Sequence, residues 1–125
     1  MADSLPRVLL VDDESDIVNV LKQGLKLKGF KVDAFTDPAR ALIEFKPDFY
    51  DFLITDIRMP EINGFELYRK IREIDRKIKV YFLTAFDIYE KEAESMFPSL
   101  NAKRFIKKPI RYQDLAQTLL EDHAQ

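Results

Sequence analysis

The chain has no cysteine and only one histidine among its 125 residues. The first absence rules out disulfides and any thiolate metal site. The lone histidine, His123, stands near the end of the chain in a polar setting, where a solvated surface side chain is the expectation. No apolar run approaches the roughly twenty residues that a membrane-crossing helix needs. Met1 to Arg7 lacks the apolar core of a signal peptide. No basic excess exists either. The net charge of −2 leaves few cations to neutralise phosphates, so direct nucleic-acid binding is not expected. Internal repeats, low-complexity segments and linkers are also missing. With 46% hydrophobic and 34% charged residues, what remains is one globular domain over residues 1–125, expected to be soluble and cytoplasmic.

Five short apolar runs alternate with five helical patterns. Arg7-Val8-Leu9-Leu10-Val11 is a buried first strand that stops at Asp12-Asp13-Glu14. From Ser15 the pattern turns helical, with Ile17, Val20, Leu21 and Leu25 on one stripe and Gly29 as a C-terminal stop. Phe30 to Phe35 alternates as a strand half exposed near an edge. Thr36-Asp37-Pro38 reads as an N-cap followed by proline at the first helical position, with Ala39, Leu42 and Ile43 on the apolar face. Asp51 to Thr55 is the third strand, leading to Asp56 and the Met59-Pro60 turn. Asn63-Gly64 then permits a positive φ before a helix from about Phe65 to Ile74, which buries Leu67 and Ile71 with Phe65, Tyr68 and Ile74 flanking. Val80 to Leu83 is a fourth strand ending on Thr84, and a helix follows to about Met96, broken by Pro98. Phe105-Ile106 is the fifth strand, ending at Lys107-Lys108-Pro109. A last helix starts near Tyr112 with Leu115, Leu119 and Leu120 inward. Five β-α repeats at this spacing imply an α/β doubly wound parallel sheet with helices on both faces.

In such a sheet the carboxyl ends of the strands share one rim, where ligands bind. That rim collects Asp12 and Asp13 after the first strand, Asp56 after the third, Thr84 after the fourth and Lys108 after the fifth. Each element alone has a plainer reading. An Asp pair after a strand commonly caps a helix, a threonine there does the same, and Lys-Pro says nothing. Their joint recurrence at strand ends carries the functional reading. Three crowded carboxylates repel unless a cation neutralises them. An all-oxygen set with no histidine or cysteine favours a hard ion, with Mg²⁺ the natural candidate. Asp56, ending the central strand, is the nucleophile for phosphorus. Asp13, and less directly Asp12, would hold the ion, while Lys108 and Thr84 would bind phosphoryl oxygens.

These stretches closely resemble the receiver domain of two-component response regulators over almost the whole length. The carrying motifs are Val8-Leu9-Leu10-Val11-Asp12-Asp13-Glu14 and Leu53-Ile54-Thr55-Asp56-Ile57-Arg58-Met59-Pro60 with Gly64, followed by Phe82-Leu83-Thr84-Ala85 and Phe105-Ile106-Lys107-Lys108-Pro109. The resemblance implies a flavodoxin-like five-stranded sheet of order 2-1-3-4-5. It implies that Asp56 takes a phosphoryl group from a histidine kinase or histidine phosphotransfer protein. Mg²⁺ would sit on Asp13, Asp56 and the backbone carbonyl of Arg58, with Asp12 helping through water. Lys108, not Lys107, would be the family's lysine, joined to Pro109 by a cis bond. The implied switch moves Thr84 toward the phosphoryl group and turns Phe105 inward. An unidentified downstream protein would then read the face of the fourth helix, fifth strand and fifth helix. Phe105 as plain core competes evenly with that role.

The chain departs from the family's pattern between Thr84 and Lys108. Asn101-Ala102 replaces the common Gly-Ala, and asparagine tolerates the left-handed turn. Lys103-Arg104 replaces an acidic residue that winged-helix regulators use for dimer salt bridges, which argues against that dimer. Monomer or phosphorylation-dependent dimer is the expectation. Arg58 and Phe86 flank the site as lifetime-tuning positions, with Phe86 favouring slow hydrolysis. No output domain follows in this sequence. A receiver of this kind would be a switch that modifies only itself, not an enzyme. A haloacid-dehalogenase-like phosphatase also uses an aspartate with Mg²⁺ but wants a second aspartate where Arg58 stands. A flavin binder wants a hydroxyl-rich loop where the acidic run lies. A receiver-like adaptor that takes no phosphate fits poorly with so complete a residue set.

Overall fold

Side chains along a strand alternate between the two faces of its sheet, so a strand apolar at every position must be covered on both. The first, third and fourth strands are buried at nearly every position and so are covered on both faces. The computed structural model describes residues 5–85, 95 and 104–124. Strands β1 (Arg7–Val11), β2 (Lys31–Phe35), β3 (Phe52–Asp56), β4 (Lys79–Thr84) and β5 (Phe105–Lys107) form one parallel sheet of order β2-β1-β3-β4-β5. Helices α1 (Ser15–Leu27), α2 (Pro38–Glu44), α3 (Gly64–Ile74) and a C-terminal helix (Tyr112–His123) cover it. The expected helix to about Met96, Pro98, Asn101-Ala102 and Lys103 lie outside the described residues, as does Phe86.

Each face has its own core. On one side Leu9, Val11, Leu53, Val80 and Phe82 pack against Phe65, Tyr68 and Ile71 of α3 and Ala41 of α2. On the other, Val8, Leu10, Phe52, Ile54, Tyr81 and Leu83 meet Val18, Leu21 and Leu25 of α1 and Leu115, Ala116 and Leu119 of the C-terminal helix. Each fully buried leucine or phenylalanine contributes about 1.5–3 kcal/mol, so most of the stability resides in these layers and not at the rim. β2 has the half-exposed pattern expected of an edge. His123 is exposed in the last turn of the chain's final helix.

Several expected helix faces are rotated. Val20 is 60% exposed and Val18 takes its place inside. Gly24 lies against the Tyr112 ring so closely that a Cβ there would stand 2.1 Å from it. The glycine thus allows α1 and the C-terminal helix to approach closely there. In α2 the buried residues are Pro38 and Ala41, and Ile43 is 79% exposed. Ile74 and Leu120 are exposed as well. The anticipated positive φ does not fall at Asn63-Gly64. Asn63 is the N-cap of α3, in a reciprocal box with Glu66, and the positive φ (69°) is at Glu61.

Candidate functional site

β1, β3 and β4 end on or next to polar residues that the sheet buries. Asp12 follows β1, Asp56 closes β3 and Thr84 closes β4, and all three are buried. Strand register fixes their order along the rim, with Asp56 opposite Leu83 and Thr84 opposite Lys107. The Lys108 backbone N–H donates to the Thr84 carbonyl at 2.8 Å, and the Lys108–Pro109 bond is cis. The lysine side chain thus starts from a backbone position tied to β4. Gly64 is needed for closeness, not for φ. Its N–H donates to the Ile57 carbonyl, and a Cβ at this position would lie 2.2 Å from the Asp56 carbonyl oxygen.

Lys108 Nζ lies 2.9 Å from Asp12 Oδ2, 3.2 Å from Glu14 Oε1 and 3.4 Å from Asp56 Oδ1. Asp12 Oδ1 accepts the Glu14 N–H at 2.9 Å, and Asp56 Oδ1 accepts the Ile57 N–H at 2.9 Å. Asp12 Oδ2 is buried and makes no aligned hydrogen bond among the described residues. Its contact with the lysine is ionic. Asp13 is exposed beside them, and one carboxylate oxygen each from Asp12, Asp13 and Asp56 falls within 4.8 Å of the others. Asp13, Glu14, Asp56, Arg58, Thr84, Ala85 and Lys108 line a cavity of about 250 Å³.

Charge is out of balance here. Burial, and then the neighbouring Asp12 carboxylate, push Asp56 up to about 6 against the pull of Lys108 and the Ile57 N–H. Burial likewise raises Asp12. Burial alone would lower the Lys108 ammonium, but the contact with the Asp12 carboxylate and the charge of Asp56 outweigh it, so its pKa rises. One ammonium faces more carboxylate charge than it can neutralise. A buried acceptor with no aligned donor beside two further carboxylates suits a small hard cation, so the residues present fit the expected Mg²⁺.

The structure brings together Asp12, Asp13, Asp56, Thr84, Arg58 and Lys108, the whole expected set among the described residues. Phe105 is half-buried and packs inward, its ring centroid 5.4 Å from that of Phe82. Glu14 was not anticipated as a partner of Lys108. Its only sequence signal is a third acid directly after the Asp pair.

Comparison with known proteins gives one answer. The response regulator receiver domain matches residues 8–120. The chain is 33% identical over 118 residues to the response regulator receiver protein CpdR of Brucella abortus, covering 92% of this chain and 94% of that one. It is 34% identical to the transcriptional regulatory protein TrcR of Mycobacterium tuberculosis, covering 94% of this chain but 46% of that one. A crystal structure of a CheY-like receiver domain protein from Methanospirillum hungatei superposes with a TM-score of 0.82 at 28% identity, covering 95% and 94% of the two chains. With the sheet order, the rim carboxylates and the lysine already placed, the chain belongs to the response regulator receiver domain family, the phosphoryl-accepting switch of two-component signalling.

Proposed function

We propose that Asp56 is the phosphoacceptor, that Asp12, Asp13 and the backbone carbonyl of Arg58 form with it a Mg²⁺ site, and that Lys108 and Thr84 receive the phosphoryl oxygens. The observation that carries this reading is the buried Asp56 carboxylate, 3.4 Å from the Lys108 ammonium that lines the rim cavity. Mg²⁺, when bound, would offset the carboxylate charge that otherwise repels a phosphate.

Asp56 Oδ1 is held by the Ile57 N–H, so Oδ2 is the attacking oxygen. It attacks phosphorus and the bond to the donor's nitrogen breaks, giving an acyl phosphate. Lys108 shifts from carboxylate to phosphoryl oxygen and Thr84 donates its hydroxyl to another. The donor would be a histidine kinase or a histidine phosphotransfer protein. Hydrolysis by water entering past Arg58 would return the domain to its starting state. Movement of Thr84, with Phe105 following, would change the face around β5 and the C-terminal helix that a downstream protein reads.

The test is incubation with acetyl phosphate and Mg²⁺, followed by intact mass. One added phosphate is expected, absent in Asp56→Asn and absent with chelator. Equal labelling of Asp56→Asn would defeat the assignment.

A further inference from the structure

Lys108 has three N–H donors and three carboxylates within 3.4 Å, those of Asp12, Glu14 and Asp56. Of these three, Glu14 accepts a hydrogen bond from it at 3.2 Å, and a phosphoryl oxygen that takes the ammonium has to compete with that bond. Asp12 is wholly buried behind it, and Asp56 is the group being modified. Glu14 is different. Its side chain is 61% exposed, so its hold on the lysine is weakened by solvent.

The carboxylate of Glu14 has no structural task at its own position. Glu14 is the N-cap residue of α1 but makes no side-chain capping bond. Its N–H is satisfied by Asp12 Oδ1. The side chain reaches across the cavity to Lys108 instead. We infer that Glu14 is a positioning residue that holds Lys108 in the unphosphorylated state and competes with the incoming phosphoryl group for it. This rests on Asp56 being the acceptor.

With acetyl phosphate as donor the step balances. Asp56 Oδ2 forms a bond to phosphorus, the P–O bond to the acetyl group breaks, and acetate leaves with the electron pair. No proton is required. Lys108 passes from Glu14 to a phosphoryl oxygen as the bond forms, so loosening Glu14 lowers the donor concentration needed.

Labelling is measured against acetyl phosphate concentration at saturating Mg²⁺ for the wild type, Glu14→Asp, Glu14→Gln and Glu14→Ala. Asp keeps the charge but loses the reach, whereas Gln keeps the reach and loses the charge. The inference expects Asp and Ala both to lower half-saturation about threefold to fivefold, with Gln between them and the wild type. The Mg²⁺ half-saturation should not change. A Glu14→Asp variant that matches the wild type while Gln matches Ala would overturn it in favour of a simple repulsive field. Four equal curves would also overturn it, as would a weaker Mg²⁺ response in Glu14→Ala. Labelling that persists in Asp56→Asn, or is absent from every form, would defeat the acceptor assignment and this inference with it.

Discussion

Asp56 is more costly to the fold in its charged form than in its neutral one. Its pKa, raised to about 6 by burial and then by Asp12, means that the folded chain binds a proton more tightly than the unfolded chain between about pH 4 and 6. Stability therefore falls as pH rises through that window, and the loss is complete above it. By this linkage the cost at pH 7 is up to about 3 kcal/mol in metal-free protein. Asparagine mimics the protonated aspartate. Asp56→Asn should thus be more stable than the wild type at pH 7, by about 1–3 kcal/mol, and no different near pH 4. Urea unfolding in the presence of chelator at both pH values checks this, and a variant less stable at pH 7 would contradict it. The rim was legible because strand ends are easy to see and a parallel sheet puts them together. Two details were hidden. Gly64 looks like a turn glycine, but its reason is the 2.2 Å approach that a Cβ would make to the Asp56 carbonyl oxygen. Asn63 looks like part of the same turn but closes a capping box with Glu66, a spacing that could have been read as such.

Helix faces were legible to within about one residue's rotation. A 3.6-residue period locates a stripe, but the neighbour decides which flank of it goes inside. In α1 the flank with Val18 is buried and Val20 is left outside, while Gly24 admits the Tyr112 ring. A tertiary contact between residues far apart in sequence leaves no periodic mark. The same holds for the anchor of the C-terminal helix. Asp122 accepts from Lys79 Nζ at 3.0 Å, from the Tyr81 hydroxyl at 2.6 Å and from Arg104 Nη1 at 2.6 Å. Burial pushes against ionisation here, but bonds from Tyr81, Lys79 and Arg104 outweigh it and hold the carboxyl down at about 2. Because the folded pKa is depressed, the stabilisation is full above the unfolded value near pH 4 and is lost as pH falls through about 2. Asp122→Asn should cost about 2 kcal/mol at pH 7, a difference that shrinks to about half near pH 3. Urea midpoints of the two proteins at pH 7 and pH 3 measure it. An equal gap at both would show that the charge is not what matters. Arg104 is engaged within the chain by this carboxylate.

Across the whole domain, two apolar layers supply stability while one rim gives some of it back. The cost comes from carboxylates held together before their counter-charge arrives, so a cation that binds there should act on folding as well as on phosphorylation. A ligand that binds only the folded form stabilises it by RT ln(1 + [L]/Kd), about 2.7 kcal/mol at a hundredfold excess over Kd. For a domain of this size that corresponds to a rise in Tm of roughly 5–15 °C. The ion competes with protons for the same carboxylates, so the Mg²⁺-induced rise should be small at pH 4.5, grow through about pH 6 as Asp56 ionises, and level off above pH 7. On the proposed assignment, Asp56→Asn removes both the repulsion and a ligand. It should begin with a higher metal-free Tm and respond weakly to Mg²⁺, so that its melting curve and that of the wild type converge as the ion is added. Thermal melts over a Mg²⁺ series at pH 4.5, 6 and 7.5 test this. A shift of equal size in both proteins, or one independent of pH, would place the bound cation away from the Asp12, Asp13 and Asp56 cluster. Convergence would show that the same crowding that makes Asp56 costly in the resting fold is what draws the ion to it.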